Sequence, residues 1–148
     1  MHPQITTARK ARLVVIGGGA AGMMAAGQAA LSGANVMVLE KMKRPGRKLC
    51  ITGKGRCNLT NVAPLEEFIA HFGLTGPFLN HAFHQFFAPE LLEFLQSRGL
   101  KVVTERGGRV FPTSGKALEV MAIFEQSLAE CGVRIRTDHR AERLRVEN

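Results

Sequence analysis

The stretch from Leu13 to Leu39, LVVIGGGAAGMMAAGQAALSGANVMVL, has no charged residue over 27 positions, and few folds accept such a run. It is long enough for a membrane span, and Gly18 and Gly22 form a GxxxG pair. Six glycines with Gln28, Ser32 and Asn35 interrupt it, however. Its ends, RLVVIG and NVMVLE, are rich in β-branched residues and flanked by glycine, as buried strands are. The run therefore divides into a strand at 13–16, a glycine turn, an Ala-rich helix over about 20–32 that Gly33 stops, and a strand at 36–39. That is a βαβ unit, spanning 12–40.

Gly17, Gly19 and Gly22 place GxGxxG directly between the first strand and the helix. The first glycine permits the tight turn, the second lets a pyrophosphate approach the backbone, and the third lets helix and strand pack closely. The helix N-terminus adds free N–H groups and the positive end of its dipole. Glu40 ends the second strand, eighteen positions after Gly22, where a carboxylate accepts hydrogen bonds from the ribose hydroxyls of an adenosine. The plainer alternative is a Gly-rich turn without a ligand and an ordinary surface Glu. The pattern does not separate NAD from FAD, since both carry an ADP half.

A segment without periodicity follows, 41–63, and long loops inside compact domains are usually functional or disordered. Lys41, Lys43, Arg44, Arg47, Lys48, Lys54 and Arg56 put seven positive charges in sixteen positions. A nucleotide P-loop is excluded: Lys48 stands five positions before Gly53 where glycine is needed, and Gly55 replaces the hydroxyl after Lys54. SGKA at 114–117 fails in the same way, with Val110 and Ala117 at the diagnostic positions. A net charge of +8 suits nucleic acid, but the chain has no Trp or Tyr for stacking and the loop has no aromatic residue from 41 to 67. The remaining possibility is a loop that closes on a dinucleotide, with backbone N–H groups around Gly53 and Gly55 near the ligand and Arg47, Lys48 and Arg56 offsetting phosphate charge.

The region 64–100 predicts helices in PLEEFIAHF, FLNHAFHQFF and PELLEFLQSRG. Leu79, Ala82, Phe83 and Phe86 share a face of the middle one, Pro89 suits a first turn and Gly99 a stop. KVVTERGGRVFP reads as a hairpin turning at Gly107 and Gly108. An amphipathic helix is expected from about Ser114, its N-cap, to Cys131, with Ala117, Met121, Phe124 and Leu128 on one stripe and Gly132 as stop. VRIRT (133–137) predicts a strand, and AERLRVEN begins another element across 141–148. Strands alternating with helices give an α/β fold around a parallel sheet.

With 148 residues, 45% hydrophobic and 22% charged, the chain suits one globular domain. Three cysteines without CxxC spacing exclude a disulfide framework and a four-Cys zinc site, so a reducing compartment is expected. MHPQITTARKAR lacks the apolar core of a secretory signal, which points to the cytoplasm.

VVIGGGAAGMMAA, VMVLEK and PGRKLCITGKGRCNLTN, followed by GRVFPTSGKALEV, resemble the N-terminal part of bacterial NAD(P)/FAD-dependent oxidoreductases, some of them aminoacetone-oxidase-like or enone-reductase-like. The resemblance covers most of the chain. GRCNLTN is its most specific element, and many relatives have glycine where Lys54 stands. It implies a Rossmann-like FAD-binding domain of the glutathione-reductase type that holds FAD non-covalently. In that family Gly17, Gly19, Ala21 and Gly22 would meet the pyrophosphate and Glu40 the adenosine ribose. Lys41, Arg47, Lys48, Gly55, Arg56, Cys57 and Asn58 would line the cofactor, and Ala141, in the strand after the amphipathic helix, would touch the adenine. Family members are longer, so the chain reads as a truncated N-terminal fragment that is not active alone. NAD(P)H would be an electron donor for its parent, with no membrane or nucleic-acid partner.

Cys50 and Cys57 are separated by six residues where the redox dithiol of glutathione-reductase-like enzymes has four. Cys57 is therefore expected to pack near the cofactor, and Cys131 to be a small buried hydrophobe. His81 and His84 read as a solvated helix face, not as metal ligands, and the Phe78–Phe87 stripe as core. No residue presents itself as a general acid or base.

Overall fold

The computed structural model describes residues 12–146, which form two compact units, 12–47 with 124–146, and 48–123. In chain order the elements are β1 (Arg12–Ile16), α1 (Ala20–Leu31), β2 (Asn35–Leu39), α2 (Arg47–Gly55), β3 (Thr60–Asn61), α3 (Leu65–Ala70), a 3-10 turn (Gly73–Thr75), α4 (Gly76–Gln85), α5 (Ala88–Gln96), β4 (Val102–Thr104), β5 (Arg109–Pro112), α6 (Ala117–Glu130) and β6 (Arg134–Arg136).

The first unit is the βαβ motif extended by one strand. Its sheet runs β1-β2-β6, all parallel, with Leu13 opposite Val36 and Val38 opposite Ile135. Val36 and Val38 are fully buried, as are Met23 and Ala26 of α1, and Leu128 of α6 lies 3.6 Å from where a Cβ on Gly27 would stand. The predicted stops act through one mechanism. Gly33 and Gly132 donate to the carbonyls of Ala30 and Ala129, and the next residues, Ala34 and Val133, donate to Ala29 and Leu128. This paired arrangement closes each helix end with the glycine in the left-handed region. One expectation is corrected: β1 is not buried. Among the described residues it is an edge strand with a neighbour on one side only, and its Leu13, Val14 and Ile16 are exposed.

The second unit holds an antiparallel sheet ordered β3-β5-β4. The predicted hairpin forms its β4–β5 pair, with Val103 opposite Phe111, and the turn closes through Glu105 and Gly108. The 41–63 segment is not structureless as expected. Helical backbone from Arg47 ends at Thr52, where ψ swings to 152°, and Thr60 and Asn61 pair with Val110 and Arg109.

Among the helices, α5 has Pro89 in its first turn, and the backbone N–H of Phe87 donates to Glu90 Oε2 at 2.8 Å. Rings of Phe68, Phe72, Phe83 and Phe87 cluster with centroids 5.0 to 6.0 Å apart. The Phe78–Phe87 stripe is thus only partly core. Phe78 is exposed, and Phe86 leaves the α4 face because its backbone is extended at φ −155°. His81 and His84 lie on the exposed side of α4.

Helix α6 begins at Ala117, not Ser114. Ser114 Oγ instead accepts the Lys116 N–H in a turn before the helix. Its stripe of Ala117, Met121, Phe124 and Leu128 is buried as expected. Residues 141–146 form neither helix nor strand, and the rest of the element expected there, like the N-terminal segment read for a signal, lies outside the described residues. Among the described residues no helix is long and apolar enough to cross a membrane.

Candidate functional site

A cleft of about 660 Å³ opens in the first unit where β1 and β2 end, lined by Gly17, Glu40 and Lys41 on one side and by Arg140 and Ala141 on the other. Open α/β sheets bind ligands at this position, outside the carboxyl ends of their strands.

The glycine turn shapes one wall. Gly17 adopts φ +104° and donates its N–H to Leu39 O at 2.8 Å, tying the turn to the end of β2. At Gly19, the residue capping α1, an added Cβ would meet no atom within 4 Å. At Gly22 the same atom would collide with the Gly17 carbonyl oxygen. The second glycine therefore leaves space for a ligand and the third brings helix and strand together. Helix α1 has no side-chain cap and no acid in its first turn, where Ala21 is exposed, so its leading N–H groups suit an anion.

Glu40 is not an ordinary surface residue, since only 8% of it is exposed. Its Oε2 accepts the Gly18 N–H at 2.7 Å and its Oε1 the Met42 N–H at 2.8 Å. A carboxylate has about four acceptor positions, so capacity remains for ribose hydroxyls. Sequence reasoning missed Gly18, a variable position of GxGxxG. Its carbonyl accepts the Gly46 N–H at 2.7 Å, and a Cβ there would stand 2.9 Å from Pro45 Cβ. The signal was the Pro45-Gly46 dipeptide, a turn marker. Ala141 needs a correction: it lies past β6 in irregular backbone, not in a strand, although it does line the cleft.

Lys48, Gly55, Arg56, Cys57 and Asn58 belong to the second unit. Lys41, Arg47 and Lys48 are exposed, as are Gly55 and Asn58. The charge of Arg56, read as a phosphate partner, already has one: Nη1 donates to Glu105 Oε1 at 2.6 Å, and the guanidinium sits 4.1 Å from the Phe111 ring centroid.

Four of the five residues from Gly53 to Cys57 have positive φ, and Lys54 (φ 59°, ψ 43°) and Cys57 (φ 63°) are not glycines. Left-handed backbone costs an L-residue about 1 kcal/mol, and glycine returns part of that gain through a freer unfolded chain. Lys54→Gly is therefore expected to stabilise the protein by about 0.5 kcal/mol. A lower midpoint in thermal unfolding would contradict this.

Cys57 is fully buried. Burial pushes its thiol above the ordinary 9.0, with Cys50 adding to the rise and a hydrogen bond involving Thr52 opposing it. The unfolded chain then releases this proton first, so the contribution of Cys57 to stability is complete below pH 9.0 and is lost as pH climbs beyond it. Urea midpoints at pH 8 and pH 10 should fall further for the natural chain than for Cys57→Ala, and equal falls would refute the assignment.

The family described as HI0933-like protein Rossmann domain matches residues 11–148. A 3-dehydro-bile acid delta(4,6)-reductase of Clostridium scindens is 39% identical over 137 residues, covering 91% of this chain and 33% of the reductase. A ribosomal RNA dihydrouridine synthase of Escherichia coli is 28% identical over 126 residues, 84% of this chain and 31% of the synthase. The chain thus spans about a third of the length of these curated relatives. Among solved structures, 3-ketosteroid-delta4-(5alpha)-dehydrogenase from Rhodococcus jostii superposes with a TM-score of 0.55 at 17% identity, over 92% of this chain and 40% of that one. Thermovibrio ammonificans THI4 gives 0.53 at 14% identity, over 86% and 38%. At such identities the likeness concerns the fold.

Proposed function

Because the chain belongs to the HI0933-like family of Rossmann domains, we propose that its first unit holds the ADP half of FAD as part of a flavin-dependent oxidoreductase. One observation carries this: the cleft at the ends of β1 and β2 is lined by Gly17 and by a Glu40 carboxylate locked by two backbone N–H groups, and the glycine turn that begins at Gly17 leads through an open Gly19 to the uncapped start of α1. The pyrophosphate would take the α1 amides and the backbone of Gly17 and Gly19, and the ribose hydroxyls would take Glu40. FAD is favoured over NAD by the basic, glycine-rich GRKLCITGKGRCNLTN segment, which resembles that of NAD(P)/FAD-dependent oxidoreductases.

When bound, the flavin supplies hydride chemistry, and the protein contributes binding and orientation. The names of both curated relatives describe adding hydrogen to a carbon–carbon double bond, so we assign the parent protein to that reaction class; the donor that the resemblance to NAD(P)/FAD-dependent oxidoreductases implies is NAD(P)H.

The test is the visible spectrum of the purified protein after incubation with FAD and desalting, alongside an ADP titration. With no Trp or Tyr the chain also adds little near-ultraviolet absorbance of its own. ADP should bind, and Gly19→Val should weaken it at least about tenfold while costing only about 1 kcal/mol of stability as a poorer helix cap, because the new side chain occupies ligand space at an ordinary φ of −80°. Equal ADP affinity in the variant would defeat the proposal.

A second reading, RNA as the parent's substrate, is favoured by the exposed Lys41, Lys43, Arg44 and Arg47 beside the cleft. It predicts oligonucleotide binding that falls steeply with salt, and salt-independent or absent binding would discard it.

A further inference from the structure

Past β6 the chain wraps over the end of β2. Glu40 donates its N–H to Arg136 O at 2.8 Å, and Asp138 and His139 donate theirs to Met42 O and Glu40 O at 3.1 and 2.9 Å. This turn contains a left-handed residue, Asp138 at φ 56°, a conformation that aspartate tolerates better than most side chains. His139 is thereby tied to the backbone of the residue whose carboxylate is offered to ribose, and it lines the cleft with Lys41, Arg140 and Glu142. Its ring is held as well. Nδ1 lies 2.7 Å from Thr137 O, and a carbonyl oxygen only accepts, so Nδ1 carries the proton. The neutral imidazole then has one polar atom left, Nε2, and that atom is an acceptor. Lys41 and Arg140 only donate. Glu142 accepts, but it is exposed and stands in irregular backbone, without the anchoring that His139 has on both its ring and its main chain.

We infer that His139 reads the base: its Nε2 accepts a hydrogen bond from the 6-amino group of adenine, so the cleft prefers adenine nucleotides to those with a 6-oxo purine. This role rests on the ADP half of FAD occupying the cleft. Position 6 is where the purines differ in sign, since adenine presents an N–H donor there and guanine or hypoxanthine a carbonyl acceptor. A 6-oxo base would set its oxygen against the Nε2 lone pair, and a polar group left facing a like partner costs more than a contact merely absent. The glycine turn and Glu40 cannot draw this distinction, because every ribonucleoside diphosphate brings the same ribose and the same phosphates. His139 is thus a specificity residue for the nucleotide and takes no part in hydride transfer.

The test is titration of the natural chain with ADP and with inosine 5′-diphosphate, repeated on His139→Ala and Glu142→Gln. ADP should bind the natural chain at least about tenfold more tightly than inosine diphosphate, the effect of one mispaired hydrogen bond. His139→Ala should bring the two affinities within about threefold of each other, chiefly by weakening ADP. The variant keeps the backbone N–H that donates to Glu40 O, so the turn over β2 survives the loss of the ring. Glu142→Gln should leave the natural preference in place. Equal affinities in the natural chain would overturn the inference and leave the flavin proposal standing. So would a preference that survives His139→Ala, or one that Glu142→Gln removes, since the reader of the base would then lie elsewhere in the cleft. A natural chain that binds neither diphosphate would overturn the flavin proposal and this role of His139 together.

Discussion

Gly22→Ala is expected to destabilise the protein by about 3 kcal/mol and to remove ADP binding with it. Alanine is the better helix former by about 1 kcal/mol, so propensity alone predicts the opposite sign. The new Cβ would, however, collide with the Gly17 carbonyl oxygen, and a backbone oxygen cannot rotate away as a side chain can. Either α1 tilts off the sheet or Gly17 moves, and Gly17 is held by its hydrogen bond to Leu39 and by a φ of +104°. Gly27 in the same helix is the control, since its added Cβ would meet only Leu128 Cδ2 at an ordinary 3.6 Å. Gly27→Ala should therefore stabilise by about 0.5–1 kcal/mol. Urea denaturation of the two variants decides the matter, and a Gly22→Ala protein as stable as the natural chain would show that helix and strand are not in contact at this glycine.

That contrast bounds what could be read from the sequence. The spacing of Gly17, Gly19 and Gly22 and the stops at Gly33, Gly99 and Gly132 are local signals, because one residue's backbone conformation decides each of them. The pairing of Thr60 and Asn61 with β5 left no such signal, since two residues carry no periodicity and their partner lies nearly fifty positions away. The Arg56–Glu105 contact was hidden for the same reason, and the loop's charge alone suggested a phosphate partner for an arginine that the fold supplies with a carboxylate. The strand β1 misled in a different way: its apolar run correctly marks a strand made for burial, but whether it is buried depends on which strands flank it. Glu40 was legible as the acid at the end of β2, yet its hydrogen bonds to Gly18 and Met42 depend on side-chain geometry that no spacing encodes.

These bonds make Glu40 the second site of large effect. Removing the carboxylate by Glu40→Ala leaves the N–H groups of Gly18 and Met42 without their acceptor, and each loss of a charged acceptor costs about 1.5–3 kcal/mol. The expected destabilisation is about 3 kcal/mol, allowing for water reaching the partly buried Met42. Glu40→Gln separates shape from chemistry. The glutamine oxygen can keep one of the two N–H partners, but its NH₂ then faces the other, donor against donor, so about half of the stability should return. ADP affinity should fall at least about tenfold in both variants, because the Gln oxygen that could serve the ribose is already committed to the turn. Urea midpoints and ADP titrations on the two variants give four values. A Glu40→Gln protein that matches the natural chain in both measurements would reduce Glu40 to a space-filling residue and remove the main support for an adenosine at this cleft.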